Sequence, residues 1–260
     1  MSQNKSVSAV PRRRFLKTLA AGATLSIPGW SAASGSLYLP EELPLTPRQT
    51  EGPFYPETSI EKQLHNDTNL VRKVSDHVAA QGQQIVVSGT VRDRRGAPIK
   101  GAIVEIWQAC ADGRYNHSRD DSGQLLDNNF QFWGRSLTGK DGKYQFLTII
   151  PGRYPGRHGR HIHYRVDAPG HRRLTTQCYF DPFGEDNARD GIYMDLSRKE
   201  RELLTVKVDK SGVRAALKKA ENKERQSSKD SRKTQQSPAK NVAAKPVVWK
   251  GTFDVVLAKA

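Results

Sequence analysis

Residues 84–92, Gln84-Ile-Val-Val-Ser-Gly-Thr-Val-Arg92, alternate apolar with polar or small side chains and then break at Arg94-Arg-Gly-Ala-Pro98. A period of two places successive side chains on opposite faces of an extended strand. The Gly and Pro that follow supply a turn. Further strands are expected at Ala102–Gln108, Lys143–Ile149, His161–Ala168, Arg173–Phe180, Leu203–Val208 and Gly251–Leu257. Short strands with Gly and Pro turns and little helix predict an all-β fold, an antiparallel β-sandwich with long loops. Short helices are expected only near 60–64 and 197–203. No internal repeat is present and no second domain is required.

The two basic segments of the chain explain its charge. Pro11-Arg-Arg-Arg-Phe-Leu-Lys17 precedes a weakly apolar run over 18–30 and the small residues Ser31-Ala32-Ala33. That order predicts an export signal over 1–33, cut after Ala33. Arg12-Arg13 followed by Phe15-Leu16-Lys17 resembles a twin-arginine signal, so the mature protein is expected in the periplasm or outside the cell. The apolar run is far shorter than the roughly 20 residues of a spanning helix, so no membrane span is expected. Residues 211–246 read as a basic, low-complexity insert with a solvated helix at most over 213–225. The leader accounts for +5 and the insert for +7 of the net +15, which leaves the body of the 34–260 domain near +3. The high pI is therefore no sign of a nucleic-acid groove, and no nucleic-acid partner is expected. Because a strand is predicted at 251–257, the insert reads as a loop within the domain.

The chemistry gathers in ten residues, Tyr154-Pro-Gly-Arg-His-Gly-Arg-His161-Ile-His163. On a strand, His161 and His163 project to one face and Ile162 to the other. Tyr154 sits on the Pro-Gly turn just before. A His-x-His pair alone is equally compatible with one hydrogen-bonded strand face. A second tyrosine, Tyr115, follows the end of the 102–108 strand on a Gly-bearing loop. Loops gathered at one end of a sandwich commonly build a site. Imidazole suits several first-row metals, and phenolate oxygen favours a hard, highly charged ion such as ferric iron. By composition alone Tyr115 reads rather as a boundary aromatic with its hydroxyl in water.

Several ordered motifs between Pro47 and Phe180 then resemble a known family. They are Gln49-Thr-Glu-Gly-Pro-Phe-Tyr55, Gly89-Thr-Val-Arg-Asp93, Gly101-Ala-Ile-Val-Glu-Ile-Trp-Gln-Ala109 and Gly113-Arg-Tyr115. Gly134-Arg-Ser-Leu-Thr138, Asp141-Gly-Lys-Tyr-Gln-Phe146 and Thr148-Ile-Ile-Pro-Gly-Arg-Tyr-Pro155 follow, then His161-Ile-His163 and Leu174-Thr-Thr-Gln-Cys-Tyr-Phe180. Together they resemble the intradiol ring-cleavage dioxygenases, in the branch like the protocatechuate 3,4-dioxygenase β chain. The resemblance implies non-haem iron(III) held by Tyr115, Tyr154, His161 and His163, with Tyr154 and His163 axial. It implies a catechol-type substrate and dioxygen, with the ring opened between the two hydroxyl-bearing carbons to a cis,cis-muconate-type diacid. In that reaction Tyr154 is displaced by substrate and helps take up a proton.

The resemblance also assigns the pocket, with one departure. The family has an arginine three residues before the first histidine, where this chain has His158; Arg157 lies one residue earlier and Arg160 directly precedes His161. Arg157 is taken as the pocket arginine, Gln177 as the pocket glutamine and Gly52-Pro53-Phe54 as substrate-lining, with His158 exposed or behind the ligands. Gly156 stands where protocatechuate-type relatives have Trp, which argues against a strict protocatechuate preference. Cys110 and Cys178 lie near the ligand loops, and a disulfide and two buried thiols both fit. Two other readings stay open: a non-catalytic exported binding module, and a sandwich that holds copper through His161 and His163. Whether the chain works alone, as a homo-oligomer or beside a partner subunit is not legible.

Overall fold

The computed structural model describes residues 41–56, 67–72, 78–211 and 247–260. The expected leader over 1–33, the short helix at 60–64 and the helix over 213–225 lie outside those residues. Among the described residues, ten strands form two sheets. In the first sheet β1 (Gln84–Asp93) is central. It pairs antiparallel with β4 (Lys143–Ile149) and parallel with β9 (Trp249–Thr252) and β10 (Val255–Leu257). β8 (Val208–Asp209) closes antiparallel on β9. The second sheet runs β3 (Trp133–Leu137), β2 (Ile103–Trp107), β5 (His161–Asp167), β6 (Leu174–Phe180), β7 (Thr205–Val206).

Both sheets are thus mixed. The parallel pairs all involve strands that return after long connections, which can bring a strand back in either direction, whereas a tight hairpin cannot. Val208 on β8 lies opposite Gly251 on β9, so the chain leaves the sheet at β8 and re-enters beside it.

The core lies between the sheets. β1 supplies Val87 and Val91, β4 Phe146, β2 Val104 and Ile106, β5 Ile162 and Tyr164, and β6 Cys178 and Phe180, all buried. Burial of each large apolar side chain contributes roughly 1.5–3 kcal/mol. The pleat that turns Ile162 and Tyr164 inward turns His161 and His163 to the opposite face of the second sheet. There a second, smaller cluster of Phe54, Trp107, Ala109, Tyr115 and Trp133 covers them.

Between β6 and β7 the chain forms a 3-10 turn (Asp181–Phe183) and three helices, α1 (Gly184–Asn187), α2 (Gly191–Met194) and α3 (Arg198–Leu204). At α3 the Ser197 hydroxyl accepts from the Glu200 N–H while the Glu200 carboxylate accepts from the Ser197 N–H. This capping box drives the helix through Leu204. The single strand expected over 203–208 is therefore replaced by a helix end and two two-residue strands. No helix among the described residues is long and apolar enough to cross a membrane.

Candidate metal centre

Two close backbone approaches bring the site together. Past β2, Cys110 and Arg114 close a turn around Gly113, whose N–H donates to the Cys110 carbonyl at 3.0 Å and whose φ is +85°. The Gly152 N–H donates to the same carbonyl at 2.9 Å. A Cβ on Gly113 would lie 2.0 Å from the Arg153 carbonyl oxygen, and one on Gly152 would lie 2.3 Å from that of Ala111. Only glycines let the Tyr115 loop and the Tyr154 loop lie backbone against backbone. The tyrosine rings consequently meet edge to face, with centroids 5.8 Å apart.

The next turn sets the arginine. The Arg157 N–H donates to the Tyr154 carbonyl at 2.9 Å, and Gly156 has φ of +81°. Pro155 and Gly156 are the central pair that a type II turn prefers. The turn aims Arg157 back along the wall of the cavity that Tyr154 lines. Arg160 instead pairs with Asp186 at 3.3 Å and lies over Phe183, away from the cavity. His158 is exposed.

The cavity has a volume of about 310 Å³. Tyr115, Tyr154, His161, His163 and Arg157 line it, together with Thr50, Gly52, Pro53, Phe54, Pro155, Gly156 and Ile192. All the anticipated ligands and the anticipated Gly52-Pro53-Phe54 segment therefore share one space. Gln177 stands directly behind it: it is the cross-strand partner of His163 and accepts from the Arg157 guanidinium at 2.9 Å. Its amide also donates to the Thr50 carbonyl at 2.9 Å, which ties residues 47–55 across the sheet. Phe54 packs on both tyrosines, with ring centroids 4.8 Å from Tyr115 and 5.1 Å from Tyr154.

The donors suit a hard cation. His161 Nδ1 lies 2.6 Å from the Gly159 carbonyl, so Nδ1 carries the proton and Nε2 keeps its lone pair. His163 Nε2 lies 3.2 Å from the Tyr115 hydroxyl, while its Nδ1 has no hydrogen-bond partner. Burial, and then the charge of Arg157, pushes His161 down to about 4. Burial, then His161 and Arg157, pushes His163 well below its ordinary value. Both rings are thus neutral donors at physiological pH. Burial raises the Tyr115 and Tyr154 phenols, so phenolates form here only against a strong positive charge. Ferric iron supplies one, and the two-imidazole, two-phenol set fits it. Among the described residues no group of three or more His, Cys, Asp or Glu side chains could hold a metal.

A family model described as "Dioxygenase" matches residues 50–216, more than half of the chain. The chain belongs to the intradiol dioxygenase family. It is similar to the protocatechuate 3,4-dioxygenase beta chain of Burkholderia cepacia, 43% identical over 148 residues that cover 53% of this chain and 61% of that protein. It is also similar to the catechol 1,2-dioxygenase of Acinetobacter baylyi, 34% identical over 174 residues that cover 58% of this chain and 53% of that one. The chain thus spans about half to three-fifths of the length of these curated relatives. Among solved structures, the dioxygenase domain of a dioxygenase–carbohydrate-binding protein fusion from Streptomyces sp. SirexAA-E superposes with a TM-score of 0.53 and 29% identity. That likeness covers 84% of this chain and 100% of the other.

Within this member of the family, sequence reasoning missed the residues that hold the first set in place. Trp107 stacks on His163, Tyr179 accepts from Arg157 at 3.1 Å, and Asp190 pairs with Arg157 at 2.8 Å. Trp107 was signalled by register, since it stands opposite His163. Asp190 lies 33 residues from Arg157 and had no local signal. Cys110 and Cys178 are both free and buried. Cys178 faces the core, away from Gln177, so the alternative of a disulfide is not realised.

Proposed function

We propose that the protein opens a catechol-type ring between its two hydroxyl-bearing carbons, using dioxygen and an iron(III) ion held by Tyr115, Tyr154, His161 and His163. One observation carries this reading: four donors and a guanidinium converge on one cavity of about 310 Å³. Bound there, ferric iron would act as a Lewis acid on both hydroxyls of the ring.

The chain's own residues do the rest. Tyr154 is less enclosed than Tyr115, so of the two tyrosines that would hold the ion it has the more room to move. Burial raises its phenol, so as a phenolate its Oη would take up a hydroxyl proton from the substrate. Arg157 lines the cavity wall with N–H donors that Asp190, Gln177 and Tyr179 leave unused, and these would donate to charge that develops on the ring. Phe54, Pro53 and Ile192 keep water from that charge and strengthen the effect.

The lining also bears on the substrate. The volume suits a single ring. The Arg157 charge is already matched by Asp190, and the other described lining residues carry no cation at neutral pH. An uncharged catechol is therefore favoured over a ring that bears a carboxylate.

Metal content and the visible spectrum test the centre. The expected result is one iron per chain and a red-brown tyrosinate-to-iron absorption that shifts when catechol binds and is bleached in Tyr154→Phe and His161→Ala. A colourless protein that takes up no ferric iron would leave a binding module. Copper retained in the Tyr115→Phe/Tyr154→Phe double variant would favour a copper site at the histidines.

A further inference from the structure

Asp190 donates nothing to the metal set, yet its side chain is wholly buried beside the cavity, at 0% exposure against 14% for Arg157. Its Oδ2 accepts from Arg157 Nε at 2.8 Å and from the Gly159 N–H at 3.0 Å. Its Oδ1 accepts from the Tyr193 N–H at 3.1 Å. These two backbone donors come from opposite sides, one from the turn before β5 and one from α2. They fix the carboxylate in place before the arginine is considered.

We propose that Asp190 is a positioning residue that acts through Arg157, holding the guanidinium in the cavity wall. The proposal rests on the reading of this cavity as a catechol site. Arg157 is a long side chain on a turn whose neighbours Gly156 and His158 are exposed. Without a buried counter-charge it would turn to water, where a guanidinium is better solvated. With Nε committed to Asp190, one terminal nitrogen reaches Gln177 Oε1 at 2.9 Å and Tyr179 Oη at 3.1 Å. The guanidinium plane is then defined by three contacts, and its remaining donors are left for the substrate.

An amide cannot replace this carboxylate. Both oxygens of Asp190 face N–H donors only, so one end of an asparagine would present its NH₂ to another donor. The same carboxylate caps α2, the helix that brings Ile192 to the cavity. The connection between β6 and β7 is thereby docked onto the site.

A double-mutant cycle with Asp190→Asn, Arg157→Gln and the pair tests this. Turnover of catechol is measured on iron-loaded protein, and 4-nitrocatechol affinity is measured by absorbance titration. Each single variant is expected to keep its iron and visible absorption, to lose on the order of 100-fold in kcat, and to bind the probe more weakly. The pair is expected to be no worse than Arg157→Gln alone. Losses that multiply, or an Asp190→Asn enzyme with wild-type kcat and affinity, would overturn the proposal. If Asp190→Asn does not fold, Asp190→Glu keeps the charge but displaces the carboxylate by one methylene, and the same cycle decides by the same two outcomes. A wild-type protein that binds iron and probe but cleaves no catechol would overturn the reaction proposed above. Probe affinity across the cycle would still decide the role of Asp190.

Discussion

The imidazole of His163 lies flat on the indole of Trp107, with ring centroids 4.8 Å apart and planes 9° from parallel. The two residues face each other across β5 and β2, and Trp107 is 1% exposed. The stack stops the imidazole from turning about its own axis, so Nε2 stays on the side of Tyr115. Tyr55 packs edge-on against the same indole at 4.9 Å, and its hydroxyl donates to Glu105 at 2.8 Å. The 47–55 segment is thereby anchored to the wall of the site.

Trp107→Ala removes that wall. It is expected to cost about 3–5 kcal/mol of stability, in line with buried Trp truncations. Trp107→Phe keeps a ring and should cost less while retaining iron. Chemical denaturation and metal analysis of both variants check this.

Gly113→Ala places a methyl group on the Arg153 carbonyl and a side chain at positive φ. The φ alone costs roughly 1–2 kcal/mol, and relief of the clash must part the two tyrosine loops. The visible absorption is expected to vanish while the far-UV circular dichroism of the sandwich survives. An unchanged spectrum would show that the loops need not touch.

Arg157→Gln is expected to lower kcat on the order of 100-fold, the usual loss for a preorganised donor at developing charge. Arg160→Gln loses a partly exposed pair with Asp186, worth at most about 1 kcal/mol of stability, together with a hydrogen bond to the Pro151 carbonyl and the contact with Phe183, and none of these partners lines the cavity. Its kcat should stay within a few-fold of wild type. Steady-state kinetics of the two variants separate the arginines.

Acid should weaken the Arg157–Asp190 pair in a defined direction. Burial alone would raise the Asp190 carboxyl, but hydrogen bonds and charge from Arg157, together with the Gly159 and Tyr193 amides, outweigh it and hold the group below the usual carboxylate range. A depressed folded-state value stabilises the protein above the unfolded-state value of about 3.9, and the contribution is lost as pH falls through the folded-state value. Asp190→Asn should therefore be less stable than wild type by about 3 kcal/mol at pH 7. The gap should begin to narrow as pH falls below about 4 and go on narrowing as pH falls through the lower folded-state value. Urea unfolding at several pH values gives the comparison.

Neither cysteine should react in the folded state. Both are buried, and burial pushes the Cys178 thiol up to about 12. A thiol reagent is expected to titrate none in native protein and both in denaturant. One disulfide and no titratable thiol would contradict the structure.

The sheets were largely legible because their signal is local. β1 and β4 alternate cleanly, and each emerged within a residue of its expected bounds. β3 was missed because Trp133-Gly-Arg-Ser-Leu137 has a glycine within and an exposed leucine at its end, so no alternation survives. Strand direction was not legible at β9, β10 and β7, where long connections free the chain to return either way. At the site, Tyr154, His161 and His163 are near neighbours in sequence, and their shared face follows from strand geometry. Tyr115 depends on the Gly113–Gly152 approach, which no periodicity encodes. Arg157 over Arg160 was decided by the Pro155-Gly156 turn, which the sequence does show. Asp190 belongs to a connection whose residues gain meaning only from what they touch.

The most direct test of the central claim is the mass of the product formed from catechol under ¹⁸O₂ by iron-loaded protein. The account predicts a cis,cis-muconate-type diacid that carries two heavy oxygen atoms. A semialdehyde from cleavage outside the diol, or no oxygen uptake with any of several uncharged catechols, would contradict it.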